Sequence, residues 1–269
     1  MREYIPLDII KLCETNTKRD VARMCGLSQS TISAVLKKSG IRLKRGRINE
    51  CHTPIDVDYF HSINNRDKAY WLGYICADGH ITKNGRKLTL VSKDKDVIIN
   101  FKAATRSGYA ISVNKSLDKR TKISYISYST QIANHTFIKN VIQKGVTTNK
   151  TSVLNFPPIK EKYYPYFIAG LFDGDGSVSF KGKNKQYLRI SLISTKNILS
   201  FIGYYLQKQF GIKILPMRSV SENCDNVWKT HLYKDAYEFL DFIYQDKTFP
   251  YYLKRKYDKY VNYKETHPA

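Results

Sequence analysis

The chain has 269 residues, which is long enough for one large hydrophobic core with a small additional domain. Lysine and arginine outnumber aspartate and glutamate by 45 to 23, so the formal net charge at pH 7 is +22. So many positive charges repel one another within a compact fold, and their presence indicates a polyanionic partner. No segment approaches the roughly 20 apolar residues of a transmembrane span, and no apolar signal segment begins the chain. We therefore expect a nucleic acid, and no membrane, as the partner.

The cysteines are scattered along the chain and form no CxxC pair and no metal-binding spacing. They are Cys13, Cys25, Cys51, Cys76 and Cys224. An odd number of unpaired thiols is typical of a reducing compartment, so we expect a cytoplasmic protein.

Residues 1–40 predict a small helical domain. Apolar residues recur at helical spacing in three short segments, the first of them a short helix. The second helix runs from Lys18 to Met24, and Thr17 can cap it. Ser28 can cap the third helix, which ends at Gly40. The inward positions are predicted to be Val21, Ala22, Met24, Ile32, Val35 and Leu36. Residues 20–40 resemble a helix-turn-helix. The third helix would then present four side chains to a major groove: Gln29, Ser30, Ser33 and Lys37.

A basic linker is predicted over residues 41–65. The stretch from Lys37 to Arg47 has six basic residues and no acidic one, and Gly46 separates Arg45 from Arg47. An Arg-Gly-Arg segment can lie in a narrow minor groove, whereas a solvated linker would only attract phosphates without sequence preference. Both interpretations of this segment stay open, as does a helical cap without DNA contacts for residues 1–40.

The remainder divides into two similar halves, residues 66–150 and 151–269. The first half predicts helices near 67–77, 94–105 and 131–144 and strands near 79–84, 86–93, 108–115 and 122–130. The second half predicts helices near 162–174, 195–209 and 234–245 and strands near 177–183, 186–194, 212–220 and 226–233. The strands alternate apolar and polar residues, which predicts α+β architecture with one sheet face packed on helices and the other exposed.

The first helix of each half carries the same short pattern. WLGYICADG occupies residues 71–79 and IAGLFDGDG occupies residues 168–176, 97 positions later. A glycine inside an apolar helix allows two backbones to pack closely, so we expect Gly73 and Gly170 to face each other. Asp78 and Asp175 would then end the two helices side by side. Two such carboxylates repel each other unless a divalent cation lies between or beside them, which predicts a metal site.

These two nonapeptides resemble the motif of LAGLIDADG homing endonucleases, in the single-chain form with two motifs. The second copy is the closer match, and the first departs at Cys76, where the second copy has Asp173. This sixth position usually caps a helix end, so the departure affects the cap more than the chemistry. The resemblance covers residues 66–262 and implies two pseudo-symmetric αββαββα repeats that form a DNA-binding saddle.

The resemblance implies hydrolysis of phosphodiester bonds in double-stranded DNA by a monomer, leaving short 3′ overhangs. Asp78 and Asp175, with the backbone carbonyls of Ala77 and Gly174, would bind Mg²⁺, or Mn²⁺ in its place. The family also has a lysine near the end of each repeat that faces the attacking water. Lys150, which lies 25 residues before Asp175, matches in the first repeat, and Lys256 is favoured over Lys254 in the second. Candidate base contacts on the sheets are Lys83, Arg86, Lys87, Arg189, Arg218 and Lys229.

Two other functions remain open. One is a DNA-binding regulator on the same scaffold without catalysis, although such proteins tend to lose the motif carboxylates, and both are present here. The other is a maturase that binds group I intron RNA and promotes its splicing. Retention of Asp78 and Asp175 together with Lys150 favours the endonuclease.

Overall fold

The computed structural model describes residues 6–15, 18–40, 53–118, 122–148, 154–183, 187–214, 217–220 and 226–267. Contacts between residues divide the chain into two compact units, Met1–His52 and Thr53–Ala269. The larger unit thus includes the second part of the predicted linker. Tyr59 and Phe60, both in that part, are buried.

The smaller unit is helical in its described residues. Its helices are α1 (Pro6–Thr15), α2 (Lys18–Cys25) and α3 (Gln29–Lys38). The side-chain oxygen of Ser28 accepts a hydrogen bond from the backbone N–H of Thr31 at 3.1 Å, which confirms the predicted cap of α3. The tight turn before it depends on Gly26, whose φ of +68° suits glycine.

One shared core holds these helices together. It consists of Ile9, Cys13, Val21, Ala22, Ile32 and Leu36, with Val35 partly buried against it. The prediction that Met24 turns inward was wrong, because its side chain is 54% exposed and Cys25 packs against the core instead. Thr17, the predicted cap of α2, lies outside the described residues.

The first half of the larger unit follows the predicted order of elements. It comprises α4 (Arg66–Asp78), β1 (Gly79–Ile81), β2 (Leu88–Ser92), α5 (Lys95–Ala104), β3 (Ile111–Leu117), β4 (Ser124–Ile132) and α6 (His135–Gln143). The strands pair antiparallel in the order β1-β2-β4-β3. Strands β1 and β2 are shorter than predicted, because a turn at Gly85, with φ of +66°, occupies the residues between them.

The second half repeats this arrangement. It comprises α7 (Tyr164–Asp175), β5 (Ser177–Lys181), β6 (Tyr187–Ser194), α8 (Lys196–Phe210), β7 (Arg218–Ser219), β8 (Trp228–Leu232), α9 (Ala236–Tyr244) and α10 (Lys254–Thr266). A single 3₁₀ turn, Glu161–Tyr163, precedes α7. The strand order β5-β6-β8-β7 matches that of the first sheet. Helix α10 was not predicted.

Helices α4 and α7 pack against each other as a tight parallel pair. A Cβ atom added to Gly73 would lie 2.0 Å from the carbonyl oxygen of Phe167, and one added to Gly170 would lie 2.0 Å from that of Tyr70. These two contacts are equivalent, because Tyr70 and Phe167 are also 97 positions apart. The prediction that the two glycines lie at the interface of a pseudo-symmetric helix pair is confirmed.

Each sheet has one face packed on helices and one exposed. Leu88 and Leu90 of β2 are fully buried, as are Ile190 and Leu192 of β6, whereas Thr89, Val91, Arg189 and Ile193 on the other face are more accessible and Ser191 is buried. Because β1 follows α4 directly and β5 follows α7 directly, both sheets start from the same end of the helix pair.

The segment after α9 crosses back to the first half. Arg66, at the start of α4, donates a hydrogen bond to Asp246 at 2.6 Å, and Tyr166 of α7 donates to the same carboxylate at 2.7 Å. Hydrogen bonds from Thr248 and Tyr166, together with Arg66, hold the pKa of Asp246 well below its ordinary value. The ring of Tyr251 lies 5.3 Å from that of Trp71. This segment therefore ties the start of both motif helices together.

No helix among the described residues is both long and apolar enough to cross a membrane.

Candidate active site and nucleic-acid interface

The two motif carboxylates lie at the paired ends of α4 and α7. Asp78 and Asp175 are each the last residue of their helix, and both are half-buried. A Cβ atom added to Gly174 would lie 2.3 Å from the Cβ of Ala77 and 3.4 Å from a carboxylate oxygen of Asp78. The carboxylate of Asp78 therefore lies against the end of the opposite helix, as the close packing of the two backbones predicts.

This arrangement suits a hard cation. Two parallel helices end side by side, and their C-terminal carbonyls and dipoles place partial negative charge at the same position as the two carboxylates. Within the described residues no group of three or more His, Cys, Asp or Glu side chains is placed to hold a metal ion. A cation here would thus depend on Asp78, Asp175 and backbone carbonyls, a donor set of oxygens that fits Mg²⁺ better than a softer metal.

Lys256, from α10, is buried beneath the end of α7. Its side chain is among the most buried polar groups, with the residue 2% exposed. Its Nζ donates to the carbonyl oxygens of Phe172, Asp173 and Gly176 at 2.6, 2.8 and 2.6 Å. Burial lowers the pKa of Lys256 to about 8, and the charge of Asp173 opposes this shift.

These contacts change the role expected for Lys256. An ammonium group has three N–H donors, and all three are used on carbonyls of the chain itself. In this structure Lys256 therefore holds the helix end that carries Asp175, and its role towards the attacking water stays a prediction. Lys254 is exposed and pairs with Asp258 at 2.9 Å. Lys150 lies outside the described residues.

Asp173 connects the end of α7 to two other segments. Its carboxylate accepts hydrogen bonds from the hydroxyl of Tyr70 at 2.8 Å, the hydroxyl of Tyr244 at 3.1 Å and the backbone N–H of Leu253 at 2.8 Å. Burial raises its pKa, while Lys256 and these donors oppose the shift. The predicted capping role is therefore present, but the N–H it binds lies just before α10 and not at its own helix end.

The predicted base contacts of the first sheet lie in the turn between β1 and β2. Lys83, Arg86 and Lys87 are all exposed there. The Nζ of Lys87 donates to the side-chain oxygen of Gln131 at 3.1 Å, and Gln131 donates in turn to Thr89 at 3.3 Å. On the same exposed face, Asn114 donates to Ser129 at 3.0 Å.

The predicted base contacts of the second sheet lie within its strands. Arg189 on β6 and Lys229 on β8 are half-buried, and Arg218 on β7 is exposed opposite Lys229. His231 shares their face, and its pKa is lowered by burial and then by Arg189, Lys229 and Arg218. These cations therefore lie close enough to act on one histidine.

In the smaller unit, the predicted major-groove residues belong to the start and exposed side of α3. Gln29, Ser30 and Lys37 are exposed, whereas Ser33 is half-buried and accepts a hydrogen bond from Lys18 at 3.3 Å. Arg45 and Arg47 lie outside the described residues.

Sequence reasoning missed two groups of residues. It did not connect Asp173 with Tyr70 and Tyr244, because those partners are far away along the chain. It also passed over Gln131 and Asn114, because it looked for base contacts among basic residues. The strict alternation of β4, which places Gln131, Ser129 and Ser127 on one face, was a signal that could have found them.

Comparisons with known proteins agree with this architecture. Residues 162–240 match the family model described as a LAGLIDADG-like domain. A search of the curated proteins found no match. Among solved structures, the chain is similar to the homing endonuclease I-WcaI bound to its DNA recognition sequence, with a TM-score of 0.50 and 17% identity over 76% of this chain and 90% of that one.

Two further structures have lower scores. The LAGLIDADG homing endonuclease I-GzeII in complex with its DNA target has a TM-score of 0.45 and 13% identity over 76% of this chain and 89% of that one. The N-terminal LAGLIDADG domain of DUF199/WhiA has a TM-score of 0.40 and 16% identity over 75% of this chain and 94% of that one.

The fold follows from the paired motif helices, the two matching sheets and the family match in the second half. The larger unit has the mixed α and β fold of LAGLIDADG homing endonucleases, and its second half contains a LAGLIDADG-like domain. The resemblance drawn from the two nonapeptides is therefore confirmed. A helix-turn-helix function for the smaller unit stays a prediction.

Proposed function

We propose that this protein is a site-specific endonuclease that hydrolyses both strands of a DNA duplex and leaves short 3′ overhangs. The observation that carries the proposal is the position of Asp78 and Asp175 at adjoining ends of α4 and α7, from which both sheets begin. The solved structures with this fold include homing endonucleases bound to DNA, and the net charge of +22 supports a polyanionic substrate. One chain supplies both carboxylates, which supports a monomer as the active form.

The carboxylates of Asp78 and Asp175 and the carbonyls of Ala77 and Gly174 would hold Mg²⁺ or Mn²⁺, which when bound lowers the pKa of water and stabilises the leaving 3′ oxygen. The chain's own contribution is positional. Gly73 and Gly170 set the separation of the two helices, and Lys256 fixes the end of α7 through its three carbonyls. The proposed role of Lys150 is to place a cation near the developing negative charge in the first repeat.

The experiment uses a plasmid library that carries a random insert. We expect the full chain to cut a subset of plasmids in Mg²⁺ buffer, and sequencing of the captured ends to give short 3′ overhangs at one recurring sequence. Asp78→Asn and Asp175→Asn should each lower double-strand cleavage of that sequence at least about a hundredfold, because each removes one charge from the cation site. Affinity for the same DNA should change less than about threefold.

Asp96→Asn is the matched control, because Asp96 is an exposed carboxylate in the first turn of α5 and should leave both properties unchanged. An equal loss of binding and cleavage in the motif variants would mean that the two carboxylates shape the helix pair and do not act in catalysis.

A DNA-binding regulator is the second candidate, favoured by the compact smaller unit, whose described residues are helical and include the serine-capped α3. Specific binding without any cleavage by the unmodified chain in Mg²⁺ or Mn²⁺ would support it. Splicing of a group I intron RNA in the same buffers would support the maturase.

A further inference from the structure

The exposed faces of the two sheets differ in chemistry although the sheets have the same topology. The first outer face includes Thr89, Val91, Ser112, Asn114, Ser129 and Gln131, which the strand register places side by side, and His80 of β1 lies opposite Thr89. The second outer face includes Lys181, Arg189, Arg218, Lys229 and His231, with the buried Ser191 and the hydroxyls of Ser177 and Ser179 between them. Both faces lie opposite the one that packs on helices.

On the first outer face the polar groups are amides and hydroxyls held by one another. Gln131 is fixed between Lys87 and Thr89, and Asn114 is fixed by Ser129. No lysine or arginine lies on this face within the described strands. Two lysines, Lys87 and Lys93, lie just beyond the two ends of β2; Lys87 reaches Gln131 at the margin of the face, and Lys93 lies over the ring of Tyr125 at 4.8 Å. This face therefore offers paired donors and acceptors but little charge.

On the second outer face the polar groups are cations close to one another. Arg218 lies directly opposite Lys229 in the strand register, and Arg189 and Lys229 both lower the pKa of His231 that lies between them on the sheet. Repulsion among these groups is relieved when acceptors with negative character lie against them. Apart from the hydroxyl of Ser191, which pairs with that of Ser177 at 2.7 Å, the long polar side chains of this face are therefore donors.

The edges of base pairs distinguish these two chemistries. Amide side chains form paired hydrogen bonds with adenine, and apolar groups contact the thymine methyl, whereas arginine and lysine donate to the two acceptors of guanine. We propose that the DNA target is asymmetric in composition, with an A·T-rich half-site against the first outer face and guanines against the second. This inference rests on the proposed function, because it requires both faces to lie on the duplex.

The test is selection of duplex DNA from a random library by the full chain in EDTA, which prevents cleavage. We expect one enriched sequence whose two flanks differ, one dominated by A·T pairs and the other containing guanines at defined positions. An enriched sequence with two flanks of the same composition would overturn the inference alone. A library without any enriched sequence would overturn the proposed site-specific function, and the inference with it.

Two matched variants then assign each flank to a sheet. Arg189→Ala should lower discrimination for guanine in one flank about tenfold, within the range of a single good base contact. Gln131→Ala should do the same for adenine in the other flank and leave the salt dependence of binding unchanged, because it removes no charge. If Arg189→Ala weakens binding to all sequences equally and only makes the salt dependence shallower, Arg189 contacts phosphate and the inference fails.

Discussion

The ends of the two motif helices, related by the same 97 positions, are built differently. At the end of α7, Asp173 is buried and accepts hydrogen bonds from Tyr70, Tyr244 and the backbone of Leu253. At the equivalent position in α4 the chain has Cys76, also buried. The position that corresponds to Tyr70 is occupied by Phe167, which has no hydroxyl group.

The difference indicates that the two substitutions belong together. A buried carboxylate is stable only when hydrogen-bond donors surround it, and a buried hydroxyl without an acceptor costs about 1–3 kcal/mol. The polar pair Asp173 and Tyr70 satisfies this condition at the end of α7, and the pair Cys76 and Phe167 avoids it at the end of α4. The pseudo-symmetry is therefore maintained in the backbone contacts of the helix pair but not in the side chains beneath it.

The largest effect should come from the contact that the two halves share. Gly73→Ala would place a Cβ atom 2.0 Å from the carbonyl oxygen of Phe167, and Gly170→Ala would do the same at Tyr70. Alanine favours an isolated helix by about 1 kcal/mol over glycine, but the helices would have to separate. We expect each variant to lose on the order of 5 kcal/mol or more of stability, measured by chemical unfolding.

Gly85→Ala provides the control, because no atom lies within 4 Å of the added Cβ and only the positive φ opposes alanine. Its expected cost is about 1 kcal/mol. If only one of the two interface variants is strongly destabilised, the equivalence of the two contacts is wrong.

Lys256→Met should have the next largest effect, confined to the second repeat. It removes the donor for three carbonyls and leaves the buried Asp173 without its cation, so we expect a loss of about 3 kcal/mol. Cleavage of the identified target should fall even at temperatures where the variant is fully folded, because the end that carries Asp175 is no longer fixed. The measurements are chemical unfolding and cleavage at saturating DNA.

Lys254→Met tests whether loss of one positive charge alone accounts for the lower cleavage expected of Lys256→Met. Lys254 is exposed and forms an i,i+4 pair, which contributes at most about 0.5 kcal/mol. If both variants cleave at the same reduced rate, Lys256 acts through general attraction of DNA and not through the helix end.

The contrast between these lysines also shows what the sequence could reveal. The helix pair was predictable because the information is local, with two copies of a short motif that each carry a glycine at the third position. Helix α10 was not, because it is rich in charged residues and buries only Lys256 and Tyr260, which are four positions apart. The burial of Lys256 depends on carbonyls 80 to 84 positions away along the chain, and no local pattern encodes that distance.

The smallest effect, and the most direct test of the comparison, is the coupling between Asp173 and Tyr70. The double variant Asp173→Cys/Tyr70→Phe reproduces at the end of α7 the pair of residue types found at the end of α4. Its loss of stability should be smaller than the sum of the two single losses by about 1 kcal/mol, because the hydroxyl of Tyr70 no longer lacks an acceptor.

The matched pair is Asp173→Cys with Tyr74→Phe. The hydroxyl of Tyr74 is also buried in the helix pair, but it donates to Ser92 and not to Asp173. These two losses should therefore add to within about 0.5 kcal/mol in chemical unfolding. Equal coupling in both pairs would mean that Asp173 influences its surroundings through charge in general, and the paired exchange between the repeats would lose its physical basis.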